Sequence, residues 1–252
     1  MSPPMRVPLC HLGRRPALAR LREPRGEDEL SLEGVDTFCA VRLLDRLLEP
    51  DTLGEGLGAA DLSASDRDAL LAGLHRSLWG DRIVGTLHCA GCGQPYDMSF
   101  ELSALQRHLA PQPAPGPAGL RGLQLDSETL TLPSAQEELA AAERGPAAGA
   151  PALAQGVAGR ELRPEETDTL AAELEAQAPL LDVELDAPCS ECGQAQQAHF
   201  DVQSYTLQRL LDEREAVLGE LHVLARAYGW GLGELLGLRR SLRRSLVAMA
   251  RE

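Results

Sequence analysis

The chain has 252 residues, a net charge of −14 and only 3% aromatic residues. Its core must therefore consist mainly of Leu, Ala and Val, a composition that favours helices. The sequence has no run of about 18 apolar residues, which excludes a transmembrane helix. Residues 1–6 lack the apolar segment of a signal peptide, so we expect a cytoplasmic protein with reduced thiols.

The N-terminal part of the chain is predicted to consist of a flexible arm followed by helices. Residues 1–33 are rich in Pro and Arg without sustained periodicity, which predicts a flexible arm. The next segment, residues 34–110, is predicted to hold the first helices and the first pair of cysteines. An amphipathic helix is predicted over residues 35–48. Its apolar face would be formed by Phe38, Val41, Leu44 and Leu48. After a glycine-rich loop, a serine cap predicts a second helix that ends at Trp79.

The first cysteine doublet is Cys89-Ala-Gly-Cys92, followed by Gly-Gln. A strand over Arg82–His88 is predicted to enter it, and a strand over Tyr96–Leu102 to leave it, before a short helix over Ser103–Leu109. A C-x-x-C-G turn between two strands is a knuckle. The glycine after the second cysteine accepts a positive φ, which lets the chain wrap a metal ion without a Cβ clash.

Residues 111–163 are predicted to form a linker that carries an inserted hairpin and helix. The proline-rich run Pro111–Pro117 predicts stiff extended backbone. Two short segments after it have strand character and predict a hairpin. A capping box that begins at Ser134 predicts a helix to about Arg144. Residues 145–159 are rich in Ala, Gly and Pro and are predicted to be disordered.

Residues 164–252 are predicted to hold a second knuckle unit and a helical extension. A helix over Pro164–Gln177 and a strand over Leu180–Leu185 are predicted to lead into the second doublet, Cys189-Ser-Glu-Cys192. The two doublets lie 100 positions apart, and apolar residues around them recur at the same spacing. The recurring pairs are Leu70 and Leu170, Leu74 and Leu174, Ile83 and Val183, and Phe100 and Phe200. We interpret the two units as an internal duplication of helix, strand, C-x-x-C and strand.

The C-terminal extension is predicted to consist of long amphipathic helices. One runs from about Tyr205 to Tyr228, and the last runs from about Arg239 to Arg251. In the last helix, Leu242, Leu246 and Met249 fall on one side and the arginines on the other. We predict that this region docks a partner protein through Trp230, Arg239, Arg240, Arg243 and Arg244. A solvated surface is the alternative interpretation of the arginine face.

The candidate metal ligands are Cys89, Cys92, Cys189 and Cys192. Two thiolates from one knuckle cannot complete a tetrahedron, whereas two knuckles can, so we predict one structural Zn²⁺ per chain with four thiolate ligands. The alternatives are a local disulfide in each doublet, a redox centre, and unligated thiols. A redox centre of the thioredoxin type needs the doublet at a helix N-terminus, whereas an extended run follows each doublet here. The sequence does not separate zinc from iron.

Several other short motifs occur in a definite order within residues 35–250, outside the linker stretches 111–119 and 145–160. They are Arg42-Leu-Leu-Asp45, Leu78-Trp-Gly-Asp81, Leu130-Thr-Leu-Pro-Ser134, the run His222–Trp230, and the run Glu234–Arg240. Together with the two C-x-x-C turns, this order resembles phage-baseplate-type proteins (T4-type baseplate-like), which are encoded with contractile phage tails and phage-tail-like contractile injection systems. The resemblance implies a non-enzymatic baseplate component or an assembly factor for one. The chain departs from the family pattern where a Tyr is usual after the arginine pair, since it has Ser245-Leu246.

The sequence thus predicts an α+β fold in which the duplicated units form a small zinc-ribbon-like β core. The predicted function is a zinc-stabilised structural or assembly component of a contractile particle, with other baseplate or tail proteins as partners and no small-molecule substrate. The sequence contains no Gly-rich phosphate loop, G-x-S-x-G elbow or H-E-x-x-H motif, which favours a protein that is not an enzyme. The alternative is a zinc-ribbon nucleic-acid-binding regulator. Residues 181–202 disfavour it, since they carry five acids and no Arg or Lys.

Overall fold

The structure is a computed structural model that describes residues 4–12, 17–110, 123–125 and 128–251. Helices and small antiparallel sheets follow one another along the chain, so the predicted α+β class is confirmed. The strands are β1 (Met5–Leu9), β2 (Ala17–Leu21), β3 (Arg82–His88), β4 (Pro95–Glu101), β5 (Leu123–Leu125), β6 (Glu128–Leu130), β7 (Asp182–Asp186) and β8 (Gln197–Asp201). The helices are α1 (Gly26–Leu30), α2 (Thr37–Leu47), α3 (Ala64–Trp79), α4 (Leu102–Leu109), α5 (Ala135–Ala142), α6 (Pro146–Ala158), α7 (Pro164–Gln177), α8 (Val202–Asp212), α9 (Arg214–Tyr228), α10 (Leu232–Leu236) and α11 (Arg240–Ala250). The predicted stiff run Pro111–Pro117 lies outside the described residues.

Each sheet among the described residues has two strands, paired in sequence order as β1–β2, β3–β4, β5–β6 and β7–β8. The β3–β4 hairpin pairs Arg82 with Glu101 at its base and His88 with Pro95 beside the first doublet. The β7–β8 hairpin is also antiparallel but shorter, and its turn holds the second doublet as the turn of β3–β4 holds the first. Both doublets therefore lie at hairpin tips.

The N-terminal residues form a hairpin, so the prediction of a flexible arm over residues 1–33 is wrong for the part that the structure describes. The β1 and β2 strands alternate apolar side chains towards the core, and Val7, Leu9 and Leu21 are buried there. Strand β1 lies against α3 at Gly73, where an added Cβ would come within 2.6 Å of Val7 Cγ2. Apolar residues do alternate along both strands in the sequence. Each strand has only five residues, however, and the neighbouring Pro and Arg residues favoured the prediction of an arm.

The main core lies between the β1–β2 hairpin and helices α2, α3 and α8. Helix α2 begins with Asp36, whose carboxylate accepts the Cys39 N–H at 2.8 Å. Its inner face is built from Ala40, Leu43, Leu44 and Leu47. Phe38, which was predicted to share this face, is half exposed, so that assignment is wrong.

Two predictions about helices also need correction. Residues 146–158 form helix α6 and are not disordered, because Ala154 and Val157 pack against Leu170 of α7. The long helix predicted from Tyr205 to Tyr228 is divided at Glu213 into α8 and α9.

Helices α9, α10 and α11 form a second cluster with the N-terminal helix α1. Val217, Leu221, Leu224, Leu235 and Val247 are its buried residues. Backbone hydrogen bonds join this cluster to the N-terminal segment. Arg240 donates its N–H to the Pro24 carbonyl at 3.0 Å, and Gly26 donates its N–H to the Leu238 carbonyl at 3.3 Å. Residues near the two ends of the chain therefore stabilise each other.

Candidate metal centre

Each cysteine doublet forms the knuckle that its sequence predicts. In the first knuckle, Gly93 donates its N–H to the Cys89 carbonyl at 2.9 Å, and Cys89 donates to Gln94 at 3.0 Å. The second knuckle has the matching bonds, from Gly193 to Cys189 at 2.9 Å and from Cys189 to Gln194 at 2.9 Å. The two glycines have φ values of 72° and 74°, a region that disfavours side chains with a Cβ.

The two knuckles face each other, so that four cysteines from distant parts of the chain converge. Their Sγ atoms all lie within 4.8 Å of one another. Cys89 Sγ is 3.6 Å from Cys192 Sγ, and Cys92 Sγ is 3.9 Å from Cys189 Sγ. A tetrahedral zinc ion with Zn–S bonds of 2.3 Å separates its sulfurs by about 3.8 Å, so these spacings fit one ion among the four sulfurs. All four thiols are free, because a disulfide would bring two sulfurs to about 2.05 Å.

The electrostatics of the four thiols also favour a cation. The peptide N–H of Cys92 lowers the pKa of the Cys89 thiol to about 6. The pKa of Cys192 is raised to about 12, because sulfur contacts with Cys89 and Cys92 outweigh the peptide N–H of Gln194, which lowers it. The ionisation of Cys89 thus makes the ionisation of Cys192 harder. A divalent cation among the four sulfurs would remove this repulsion and bind them as thiolates.

Hydrogen bonds across the centre fasten one knuckle to the other. Tyr96 donates its hydroxyl to the Ala187 carbonyl at 2.5 Å. Gln196 accepts the Ala90 N–H at 3.1 Å and donates to the His88 carbonyl at 3.4 Å. Tyr96 and Gln196 both lie four positions after the second cysteine of their doublet, so equivalent positions bind the opposite knuckle. The sequence analysis missed both residues, although their equal spacing was a signal.

Aromatic side chains pack beneath the centre. Phe100 and Phe200 meet edge to face, with ring centroids 5.0 Å apart and an interplanar angle of 89°. Around them, Ile83, Leu102 and Val202 are buried in a small separate core. This core joins the two hairpins independently of the cysteines, so the knuckles would be held near each other by packing as well as by a metal.

The histidines near the doublets lie in strands. His88 ends β3, and His199 lies in β8 with its ring nitrogens 3.1 Å from Asp182 and 3.3 Å from Glu184. Both carboxylates and the imidazole are exposed. This face of the β7–β8 hairpin is acidic, which disfavours contact with nucleic-acid phosphates.

Two of the predicted docking residues are buried, which corrects their assignment. Arg243 is 0% exposed and binds Glu29 and Glu220, each at 2.6 Å. Arg240 is 3% exposed and binds Glu29 at 2.5 Å as well as Glu213. Burial with carboxylates on both sides explains the position of the two arginines inside the fold. Charge reversal at Arg240 would therefore unfold this cluster instead of testing a surface.

The other predicted docking residues are accessible. Trp230 is 37% exposed and stacks on Tyr228, with ring centroids 5.0 Å apart. Arg239 is partly exposed at the N-cap of α11. Arg244 is exposed but binds Glu213 at 3.3 Å and Glu220 at 3.4 Å. The five predicted residues thus divide into three at the surface and two in the interior.

Comparison of the chain with protein families, with curated proteins and with solved structures found no match. Within the described ranges, no helix is long and apolar enough to cross a membrane.

Proposed function

We propose that Cys89, Cys92, Cys189 and Cys192 bind one Zn²⁺ as a closed structural site. The observation that supports this most directly is the convergence of all four sulfurs within 4.8 Å, although the doublets are 100 residues apart. Bound there, zinc would supply folding free energy, since the unfolded chain has no preformed site. Four protein ligands would leave no position for water or substrate, which favours a structural and not a catalytic ion.

We also infer that the two knuckle units are copies of one ancestral unit. Both have the order helix, strand, knuckle, strand and helix, and their cysteines are at equal spacing. The backbone bonds at the base of the two hairpins correspond too, since Leu102 donates to Asp81 and Val202 donates to Leu181, each at 2.9 Å. Such copies would face each other across a pseudo-two-fold axis through the ion.

The function that we propose is that of a non-enzymatic, zinc-stabilised structural or assembly component of the baseplate of a contractile phage-tail-like injection system. The order of the sequence motifs along residues 35–250 supports the family assignment. A closed metal site and exposed apolar side chains on the C-terminal helices support a role in protein contacts. The partners would be other baseplate or tail proteins.

Metal analysis tests the zinc site. Protein purified without an affinity metal column would be measured by plasma mass spectrometry and by native mass spectrometry. We expect one zinc per chain. Metal-free protein with two oxidised doublets would overturn the shared site and favour redox chemistry instead.

Particle assembly tests the proposed role. The tail and baseplate genes of the host of this chain would be expressed with the wild type, without it, or with Cys92→Ser, and particles would be isolated on density gradients. We expect complete particles with the wild type only. The chain would be found in finished particles if it is a component and absent from them if it is an assembly factor. Normal particles formed without the chain, and lacking it when it is present, would contradict both roles.

A further inference from the structure

Helix α11 directs two of its arginines inward and two of its large apolar side chains outward. Its buried residues are Arg240, Arg243 and Val247. Leu242 is 41% exposed and Met249 is 56% exposed. A surface helix ordinarily has the opposite arrangement, with its apolar stripe in the core. The outward position of Leu242 and Met249 therefore needs a physical cause.

Buried carboxylates explain the rotation of α11. Glu29 of helix α1 is 2% exposed and lies between the guanidinium groups of Arg240 and Arg243. Turning the helix to bury Leu242 would withdraw both arginines and leave Glu29 charged and unpaired in the interior, which is strongly unfavourable. Leu242 and Met249 are thus fixed on the outside of α11, whereas Leu246 is partly buried against the cluster of α9, α10 and α11.

Leu242 and Met249 are part of a larger accumulation of exposed apolar groups. Eleven large hydrophobic side chains are exposed among the described residues, and six of them lie between residues 218 and 249. We call these six residues the C-terminal apolar set: Leu218, Tyr228, Trp230, Leu232, Leu242 and Met249. Single exposed leucines are ordinary, but six such side chains on and between helices α9, α10 and α11, which pack against one another, favour an interaction surface.

The unpaired charges next to the set are mainly positive, in a chain whose net charge is −14. Arg226 and Arg251 are exposed, Arg239 is partly exposed, and none of the three forms an ion pair with another described residue. Arg239 lies three positions before Leu242, on the same side of the helix as the stripe. The exposed acids near the set are Glu215, three positions before Leu218, and Glu234, whose carboxylate accepts the Gly231 N–H at 2.9 Å.

These charges select the kind of partner. Two copies of the chain that paired through this surface would bring their arginines together, which is unfavourable. An acidic partner would neutralise them. The stripe Leu242, Leu246 and Met249 has the spacing of two helical turns, which suits a second helix packed alongside.

We propose that the C-terminal apolar set and its arginines bind an amphipathic helix of another protein, one with acidic residues beside an apolar stripe. This inference deepens the proposed function, because it gives the chemistry of the partner that a structural or assembly component would contact. It does not depend on the metal.

The test uses the full-length, metal-loaded chain and synthetic peptides. The acidic probe is a labelled helical peptide of about 18 residues, or five turns, with Leu at heptad positions a and d and Glu on the flanks. A matched peptide has Lys in place of Glu. We expect the chain to raise the fluorescence anisotropy of the acidic peptide only, and the affinity to fall as salt is raised. Leu242→Glu should weaken binding about tenfold or more.

Ala248→Glu is the matched control, since it introduces the same charge at an exposed position of α11 away from the stripe. It should weaken binding much less than Leu242→Glu. Equal binding of the acidic and basic peptides, absence of binding to either, or equal effects of the two substitutions would overturn the proposal. A dimer of the chain that Met249→Glu dissociates in sedimentation equilibrium would overturn it in favour of a second copy. Zinc content and particle assembly would remain as independent tests of the proposed function.

Discussion

Helices α3 and α7 occupy the same place in the two knuckle units but have different surroundings. Leu70 of α3 is buried in the main core, whereas Leu170 of α7 is buried in a small cluster with partly buried neighbours. Asp68 and His75 are buried in α3. Their counterparts in α7, Asp168 and Glu175, are exposed. One helix is thus an interior element and the other a surface element.

The knuckles themselves do not show this difference. Their glycines have nearly equal φ values. The backbone hydrogen bonds at the first cysteine of each doublet also agree in length within 0.1 Å. The local turn depends on the C-x-x-C-G residues alone, whereas the helix environment depends on what the rest of the chain places against it. The β1–β2 hairpin and α8 cover α3. Helix α7 contacts strand β5 and helix α6, and its outer face, with Asp168 and Glu175, stays in solvent.

Loss of one thiolate should have the largest effect, and the effect should be the same in both units. Cys89→Ser and Cys189→Ser should each remove the whole metal content, because a closed site needs all four ligands. The loss of metal-linked stability should be on the order of 10 kcal/mol, enough to unfold the ribbon. Metal analysis and thermal unfolding would measure it.

Cys10→Ser is the control for this prediction, because the peptide N–H of Cys10 is bonded to Asp66 and its thiol lies outside the four-sulfur cluster. It should retain one zinc. Retention of half of the metal in Cys89→Ser or Cys189→Ser would mean that each doublet binds separately. The two units would then be independent and not halves of one site.

Leu70→Ala and Leu170→Ala compare the two helices directly. Both leucines are buried, but Leu70 lies in the main core, whereas the hydrophobic neighbours of Leu170 are only partly buried. We expect Leu70→Ala to lower the free energy of unfolding by about 4 kcal/mol and Leu170→Ala by about 2 kcal/mol, near the lower end for such changes. Urea unfolding of the zinc-loaded variants would measure both. Equal losses would mean that the two helices are equally embedded.

The sequence was sufficient to predict the parts of the molecule that depend on neighbouring residues. The bounds of α3, β3 and α7 follow from caps, glycines and periodicity, and the grouping of the four cysteines follows from the doublets and their equal surroundings. The convergence of the doublets was predictable because one knuckle cannot complete a tetrahedron. These features need no knowledge of the rest of the fold.

The features that sequence reasoning missed depend on distant residues. The inward rotation of α11 is set by Glu29, which is 211 positions from Arg240. Periodicity alone indicated two faces of that helix but not which one was buried. At the break between α8 and α9, the Glu213 carboxylate accepts the indole N–H of Trp79 at 2.7 Å, a contact between residues 134 positions apart. A single sequence does not indicate which of its distant residues form such hydrogen-bonded or ionic pairs in the fold.

His75 should make the stability of the first unit depend on pH, whereas Glu175 should not do so for the second. Burial lowers the pKa of His75 from 6.5 to about 4, with a further lowering by Arg209 that Asp81 opposes. Below pH 6.5, His75 therefore binds a proton in the unfolded chain, whereas in the folded chain it binds one only near pH 4 and below. On acidification from pH 7 to pH 4, this group alone should reduce the free energy of unfolding by about 3 kcal/mol.

The measurement compares urea unfolding of wild type and His75→Leu at a series of pH values. Asp68 titrates in an overlapping range with the opposite sign, since burial raises its pKa to about 7, but it is present in both proteins and cancels. The wild type should lose stability more steeply than His75→Leu between pH 6.5 and pH 4. Glu175→Leu should keep the wild-type slope. Parallel curves for wild type and His75→Leu would show that the buried imidazole is not held neutral.

The smallest effect is expected for the hydrogen bonds that cross the centre. Tyr96→Phe removes the hydroxyl that donates to the buried Ala187 carbonyl and should cost about 1 kcal/mol, because that carbonyl then lacks a partner. Gln196→Ala removes bonds to Ala90 and His88 at a partly exposed position, where water can replace them, and should cost about 0.5 kcal/mol. Both variants should keep one zinc per chain. A loss of metal in either would mean that these bonds, and not the thiolates alone, hold the two knuckles at the distance that the site needs.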